Sequence, residues 1–292
     1  MNKVNLICGI IISFNDGYSL RKSVEAISKQ LDWIIIVDNG SDSETQSILD
    51  LIEAKELFAT IIRLDNNYGI AYALNRGVER ALLNAAQWVV TFDQDSIPSD
   101  QMIENMLVFA NLHNRENLDI AFLTPKISHN QETYLSKLES PKNVVAAAIT
   151  SGNMVNIEVF KKIGLYDEAL FIDSVDFEFC LRARSAGYKI FSVSSATLHH
   201  NLGSSKCFNF MGVSFHIYTH SPLRRYYIMR NHLYLQKQYL SKFPLFFMKK
   251  TFFLIIMLLQ IVLLEEQKYL NIKMVALGIR HYLKGVKGKF IC

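Results

Sequence analysis

The sequence predicts an α/β fold: a mixed, mostly parallel sheet with flanking helices, followed by a helical C-terminal appendage. Three observations carry that expectation. Short β-branched runs alternate with segments of helical spacing through the first third of the chain. Polar clusters stand directly after each of the first four predicted strands. The charge balance also reverses along the chain: residues 1–200 carry 17 Lys/Arg and 25 Asp/Glu (−8), whereas residues 201–292 carry 14 Lys/Arg against only Glu265 and Glu266 (+12). An acidic front suits metal and proton chemistry, and a basic back suits a polyanion or an anionic membrane surface.

The elements follow in order. Leu6 to Phe14 is a β-branched run, expected as a first buried strand; it leads into Ser13-Phe14-Asn15-Asp16 with no small-residue cleavage site. Leu20, Val24 and Ile27 give Ser19–Gln30 helical spacing. Trp33–Val37 is a continuous apolar run of the kind buried on both faces. Ser43–Leu57 reads as helix, Thr60–Leu64 as strand, Ile70–Ala86 as helix and Trp88–Phe92 as strand. Beyond Leu118 the pattern is mixed. Val144–Val155 reads as a strand broken at Ser151-Gly152-Asn153, Glu158–Ile163 as a short helix, Ser174–Ala186 as a helix stopped by Gly187, and Tyr188–Val193 as a strand closing on His199-His200. Half of the 292 residues are apolar, enough for a sizeable core in one large domain or one domain plus an appendage.

In an open α/β sheet, ligands bind at the carboxyl ends of the strands. Asn15-Asp16, Asp38-Asn39, Asp65-Asn66-Asn67 and Asp93-Gln94-Asp95 occupy those positions. The sharpest motif is Asp93-Gln94-Asp95-Ser96. Its paired carboxylates suit a hard cation such as Mg²⁺ or Mn²⁺, and such a cation can bridge protein to diphosphate oxygens. Asp38-Asn39-Gly40-Ser41 serves equally as a base- or ribose-binding turn or as an ordinary turn and helix cap. Asn66-Asn67-Tyr68-Gly69, with Asn75-Arg76-Gly77, opens a helix whose N-terminus favours a diphosphate, or is simply a capped turn. Asp173, Asp176 and Glu178 share a helix entrance, where acids suit the helix dipole and also a base for an acceptor hydroxyl; Arg182 and Arg184 follow as their candidate partners. His199-His200 closes the last core strand, where a histidine could complete a metal shell.

The tail from Ser221 differs in kind. Tyr226, Tyr227, Leu233 and Tyr234 lie at helical spacing among Arg224, Arg225 and Arg230. Thr251–Leu264 is an apolar run of 14 residues, shorter than the roughly 20 a membrane span needs. Lys268–Cys292 holds six Lys/Arg and no acid, with Met274, Leu277, Ile279 and Leu283 between them. That pattern predicts an interfacial amphipathic helix on a membrane surface. Cys8, Cys180, Cys207 and Cys292 show no metal-ligand spacing, which implies a reducing compartment.

Together these residues resemble glycosyltransferase family 2, and within it the bacterial rhamnosyltransferase-like branch. The resemblance spans roughly residues 6 to 235. It runs through Ile11-Ile12-Ser13-Phe14-Asn15, Val37-Asp38-Asn39-Gly40-Ser41, Asn67-Tyr68-Gly69-Ile70-Ala71 to Asn75-Arg76-Gly77, and Phe92-Asp93-Gln94-Asp95-Ser96. It continues through Ser151-Gly152-Asn153, Ile163-Gly164-Leu165-Tyr166-Asp167-Glu168, Phe171-Ile172-Asp173 with Asp176-Phe177-Glu178, His200-Asn201-Leu202-Gly203, and Ser221-Pro222-Leu223-Arg224-Arg225-Tyr226-Tyr227 with Arg230-Asn231.

The resemblance implies a GT-A, Rossmann-like nucleotide-diphospho-sugar transferase domain over residues 1–220, a basic helical region over 221–292, and an inverting mechanism. It implies donor contacts from Ser13, Asn15, Asp38, Asn39, Asn67, Gly69, Asn75, Asp93, Gln94, Ser151, Gly152, Asn153 and Arg230. Asp95, His200 and Asp93 would hold Mg²⁺ or Mn²⁺, with His199 as the register alternative. Asp176 matches the catalytic base, and Glu178 and Asp173 would orient the acceptor or the base. Phe179 stands where the family often has Trp, a departure that leaves the details of the acceptor site open but not the chemistry. A Gln-x-x-Arg-Trp motif and the several spans of processive members are not found, so one sugar per encounter is expected.

The implied donor is dTDP-L-rhamnose. The implied acceptor is a polyprenyl-diphosphate-linked saccharide of O-antigen or capsule type, at the inner face of a bacterial cytoplasmic membrane, with the enzyme cytoplasmic and peripheral. No nucleic acid partner is expected, and a homo-oligomer stays open. Rival readings are a galactofuranosyl or hexosyl donor, and a non-catalytic nucleotide-sugar-binding assembly subunit.

Overall fold

The computed structural model describes residues 6–31, 33–55, 58–114, 119–129, 132–134, 143–200, 205–210, 213–218 and 220–291. The chain divides into two compact units: Met1–Phe171 with Val175–Asn201, and Ile172–Ser174 with Leu202–Cys292.

The first unit alternates strand and helix. It runs β1 (Ile7–Ser13), α1 (Gly17–Ile27), β2 (Ile34–Asp38), α2 (Ser43–Lys55), β3 (Ala59–Arg63), α3 (Ile70–Leu83), β4 (Trp88–Asp93) and β5 (Ile97–Pro98). Then come α4 (Met102–Asn114), β6 (Ile120–His129), β7 (Glu132–Tyr134), β8 (Met154–Asn156), α5 (Ile157–Ile163), a 3₁₀ turn (Glu168–Leu170), α6 (Val175–Ser185) and β9 (Lys189–His199). The sheet order is β3-β2-β1-β4-β8-β6-β9-β5, with β7 paired to β6. Neighbours β1–β2, β2–β3, β1–β4 and β6–β9 are parallel, whereas β8, β5 and β7 pair antiparallel. The expected mixed, mostly parallel sheet is therefore present.

The apolar runs explain the layering. Ile34 to Val37 of β2 are all fully buried, as a parallel strand covered on both faces requires. On α1, Leu20, Val24 and Ile27 turn one stripe inward, and the Asp16 carboxylate caps the helix by accepting from Ser19 N at 3.0 Å. The core gathers these side chains with Ile11, Val90, Phe92, Met106, Leu123 and Leu198.

Two expectations need correction. Residues 144–155 are not one broken strand: Val144 makes an isolated bridge to Phe191, and regular pairing begins only at Met154. Between them the chain turns through Gly152 at φ +82°, where a Cβ would lie 2.7 Å from Pro125 and 2.9 Å from Leu198. Asn153 Nδ2 reaches back to Ile149 O at 2.7 Å and closes that turn.

The second correction concerns the tail. The second unit holds an antiparallel hairpin, β10 (Ser205–Phe210) and β11 (Val213–Tyr218), then α7 (Pro222–Tyr239), α8 (Pro244–Leu264) and α9 (Lys268–Leu283). The apolar run of α8 extends N-terminally to Pro244, giving 21 residues, long and apolar enough to cross a membrane. Proline at the first turn starts it, and Lys249-Lys250 continue it because lysine is a good helix former. Among its side chains Phe247 and Ile261 are buried, whereas Phe252 and Phe253 are 60% and 64% exposed.

Met229, Ile261 and Val275 join α7, α8 and α9 in a small core. Beside it Glu265 accepts from Arg225 Nη2, from Asn271 Nδ2 at 2.6 Å and from Gln260 Nε2 at 3.1 Å. The ion pair is nearly dry, with side-chain exposures of 1% for Arg225 and 10% for Glu265.

Candidate active site

Strand register builds the site. Parallel pairing sets Ser13 beside Asp38 and Ile12 beside Asp93, so the polar residues that end β1, β2 and β4 emerge at one edge of the sheet. After Asp93 the chain turns once and enters β5, which pairs antiparallel with the end of β9, Ile97 against His199. That pairing brings the residue after His199 back beside the turn. His200 consequently meets both aspartates, and His199 is exposed. The open choice between the two histidines thus falls to His200 among the ligand-forming groups.

His200 Nε2 lies 3.5 Å from Asp93 Oδ2, and its Nδ1 lies 3.3 Å from Asp95 Oδ1. One ligand atom from each of the three residues falls within 4.8 Å of the others. That is the scale on which donors surround one cation at about 2.1 Å. Two carboxylates and an imidazole make a hard-to-borderline set suited to Mg²⁺ or Mn²⁺. Burial alone would depress the His200 imidazole. The Asp95 hydrogen bond and the charges of Asp93 and Asp95 outweigh it and raise the imidazole above its ordinary value.

The surroundings hold this cluster in place. Ser96 Oγ lies 3.0 Å from His200 Nδ1 and 2.7 Å from Ser151 Oγ, and Ser151 Oγ accepts from Asp93 N at 3.1 Å. Gln94 pairs with the Phe14 backbone in both directions: its Oε1 accepts from Phe14 N at 2.7 Å, and its Nε2 donates to Phe14 O at 3.1 Å. The turn between the aspartates is thereby tied to the end of β1.

A family model described as glycosyl transferase family 2 matches residues 8–161. The chain belongs to glycosyl transferase family 2. RfbF of Shigella flexneri, a dTDP-rhamnosyl transferase, is 29% identical over 238 residues, covering 77% of this chain and 78% of the relative. Among solved structures, residues 1–349 of S. aureus TarS in complex with UDP-GlcNAc superpose with a TM-score of 0.64 at 14% identity, covering 96% of this chain and 81% of that one. The mannosyltransferase PcManGT of Pyrobaculum calidifontis, in complex with GDP-Man and Mn²⁺, gives a TM-score of 0.58 at 12% identity, covering 96% and 74%. The fold of this family 2 glycosyltransferase is thus GT-A-like.

The other expected donor residues of the glycosyltransferase form three networks. At β2, the buried Asp38 carboxylate accepts from Ser41 Oγ, from Ser41 N at 3.3 Å and from Gln46 Nε2 at 2.6 Å. Asn15 joins it, taking Asp42 N on its Oδ1 at 2.8 Å and giving its own N–H to Ser41 Oγ at 3.0 Å. Ser13 Oγ is buried with no hydrogen-bond partner among the described residues. Asn39 and Asn67 shape the next loop: Asn39 Oδ1 accepts from Tyr68 N at 3.0 Å, and Asn67 Oδ1 accepts from Gly69 N at 3.0 Å and Asn39 Nδ2 at 3.3 Å. Gly69 sits at φ +94°, where a Cβ would fall 2.5 Å from Phe171 O. Asn75 spends its amide inside the protein, on Tyr166 N and O and on Glu168.

Asp176 stands in the first turn of α6 and accepts from Phe177 N at 2.8 Å. Tyr166 links its neighbourhood to β4. Burial raises that phenol, which also feels the Asp176 charge and hydrogen-bonds Thr91, two positions before Asp93. Glu178 is buried, and both its oxygens engage Arg182 Nε and Nη2; Nη2 also donates to Leu165 O, and Nη1 donates to Ile163 O. The expected acid–arginine pairing on this helix is therefore Glu178–Arg182, whereas Arg184 donates to Ala146 O. Asp173 belongs to the helical unit and pairs with Arg224 Nε at 3.1 and 3.3 Å; burial pushes its carboxyl up against the pull of Arg224 and Lys250. Arg230 is fully buried in that unit and bonds Asn231 Oδ1, Tyr226 Oη and Gly288 O.

The part of the histidine motif at Asn201, Leu202 and Gly203 lies outside the described residues. The sequence reading did not single out Ser96, Gln46 or Tyr166 for a role. Serine after a paired-aspartate turn looks like turn chemistry, and a glutamine on an exposed-looking helix face carries no signal.

Proposed function

We propose that this glycosyltransferase transfers L-rhamnose from dTDP-L-rhamnose, with inversion, to a lipid-linked saccharide in the synthesis of a bacterial surface polysaccharide. The donor rests on the likeness to a dTDP-rhamnosyl transferase over most of both chains. The observation that carries the chemistry is the convergence of Asp93, Asp95 and His200 at the carboxyl ends of the strands.

In this reading Asn15, Asp38, Asn39, Asn67 and Gly69 shape the base and ribose end of the donor site. Asp38 acts by fixing the Ser41 turn. The unpartnered Ser13 hydroxyl and the Ser151-Gly152-Asn153 turn face the sugar diphosphate. A divalent cation, Mg²⁺ or Mn²⁺, held by Asp93, Asp95 and His200 supplies charge neutralisation for the diphosphate. Asp176 takes the proton of the acceptor hydroxyl as its oxygen attacks the anomeric carbon. The bond from that carbon to the diphosphate breaks on the opposite face, and the nucleoside diphosphate leaves with the bonding electrons. Glu178 supports α6 through Arg182, and Arg230 serves within the helical unit.

The acceptor reading rests on the second unit. Its excess of Lys/Arg suits anionic lipid, and the exposed apolar face of α8 suits acyl chains. In this reading the enzyme acts peripherally at the inner face of the cytoplasmic membrane. The exposed apolar groups of α8 support this reading more than Lys268–Cys292 does, since α9 packs on α7 through Val275 and Met229.

A panel of nucleotide sugars with a polyprenyl-linked acceptor, with and without Mn²⁺, tests the whole reading. dTDP-rhamnose is expected to give metal-dependent turnover, and Asp176→Asn to lower it by at least about 10³-fold. Turnover with another donor alone removes the rhamnosyl assignment, and unchanged turnover in the variant removes the base.

A further inference from the structure

A buried carboxylate stands at the end of β2, and an exposed turn is built on it. Asp38 is fully covered, so it acts on a ligand through the groups it holds. Its oxygens accept from Ser41 Oγ, from Ser41 N at 3.3 Å and from Gln46 Nε2 at 2.6 Å. Ser41 Oγ in turn accepts from Asn15 N at 3.0 Å, and Asn15 Oδ1 accepts from Asp42 N at 2.8 Å. Asn15 and Asp42 face solvent. A charge taken out of water needs donors in place of its hydration. Of these three donors to Asp38, Gln46 alone comes from outside the turn.

Gln46 lies in the first turn of α2 and is itself locked. β2 and β3 pair with Asp38 beside Arg63. The guanidinium of Arg63 then takes one stripe of α2: Nε donates to Gln46 Oε1 at 3.3 Å, Nη2 to Asp50 Oδ1 at 2.8 Å and Nη1 to Glu53 Oε2 at 2.8 Å. Positions 46, 50 and 53 share one helix face. A carboxamide has a donor end and an acceptor end. With Arg63 on its oxygen, the amide turns its NH₂ group to Asp38. The two ion pairs are exposed on their acidic side, 72% at Asp50 and 51% at Glu53, and such pairs contribute little stability. What they fix is the direction of the amide.

We infer that Gln46 is a positioning residue for the nucleotide end of the donor site: by holding the Asp38 carboxylate it sets the Ser41 turn and Asn15, against which the nucleoside rests. Arg63 orients its amide. This rests on the reading that Asn15 and Asp38 shape that end of the site. A purely structural glutamine would lower the number of folded molecules. A positioning glutamine weakens nucleotide binding in molecules that are folded and still take up the cation.

Calorimetry with Mn²⁺ alone, and with dTDP in the presence of Mn²⁺, reads both affinities and the number of sites. Gln46→Met keeps the side-chain length and loses the amide. It is expected to raise the dTDP Kd about tenfold, the order set by one hydrogen bond to a charged group, with Mn²⁺ affinity and site number unchanged. A dTDP Kd within about threefold of the parent overturns the inference, and so does an equal loss of Mn²⁺ affinity. Arg63→Met, at the surface, is expected to raise the dTDP Kd about fourfold. If Gln46→Met does not fold, Arg63→Met decides, and a Kd within about twofold of the parent overturns the inference. Asp38→Asn is run alongside: unchanged dTDP affinity there removes that end of the site and the inference with it. Weakened binding there, with normal binding by Gln46→Met, removes the inference alone. If the parent binds UDP or GDP in place of dTDP, the rhamnosyl donor is lost and the same comparison on that nucleotide decides the inference. A parent that binds none of the three removes both.

Discussion

The sheet unit and the helical unit solve opposite problems with sequences of similar apolar proportion. In the sheet unit the β-branched runs are inside, and the polar strand ends project as a site. In the helical unit a charged and amide network is inside, around Arg225, Glu265, Asn271 and Gln260, while phenylalanines and leucines of α8 stand outside. The difference teaches that two units of one chain can place the same kinds of side chain oppositely. The sheet unit leaves carboxylates at its strand ends, whereas the helical unit gathers polar groups within and leaves apolar groups of α8 outside, as an interaction surface does.

The largest expected effect breaks the helical unit at its polar centre. Glu265→Ala leaves the Arg225 guanidinium buried and unpaired; its Nε and Nη1 already have no partner among the described residues. A loss of about 3–5 kcal/mol is expected in urea unfolding, whereas Arg225→Met with Glu265→Leu recovers most of it. If the double variant is as unstable as the single one, the network specifies the unit rather than merely satisfying its own charges.

A smaller effect sharpens the picture of the sheet unit. Ser96→Ala removes the hydroxyl that orients His200, and a fall in Mn²⁺ affinity of about 10- to 100-fold is expected by calorimetry. Unchanged affinity would mean that the aspartates alone set the cluster. The smallest effect addresses the outer face of α8. Phe253→Ser with Leu263→Ser is expected to weaken flotation with anionic liposomes about tenfold while raising solubility. Equal flotation of both proteins would show that the exposed helix meets something other than lipid.

Much of the sheet unit was legible because parallel strands write themselves as unbroken β-branched runs, and because Asp38 and Asp93 stand where those runs stop. The resemblance pointed to His200 with His199 as the alternative, but the geometry that sets His200 beside the aspartates was not legible. It depends on β5, two residues long, pairing with the far end of β9, and no local pattern announces so short a strand. The 144–155 stretch misled for the reverse reason: apolar β-formers there serve a turn around Gly152. The start of α8 was hidden by Lys249-Lys250, which look like a boundary in a hydropathy reading yet are ordinary helix residues.

The two-residue pairing of Ile97-Pro98 with Leu198-His199 also bears on how the gene can vary. Side chains alternate along a strand, so adding one codon between the second aspartate and Ile97 would turn the β5 side chains over against β9, while the histidines keep the faces that pairing with β6 gives them. Such a chain would keep its core and displace the aspartate turn from His200. The length of that link is as much a part of the candidate cation cluster as the three side chains themselves.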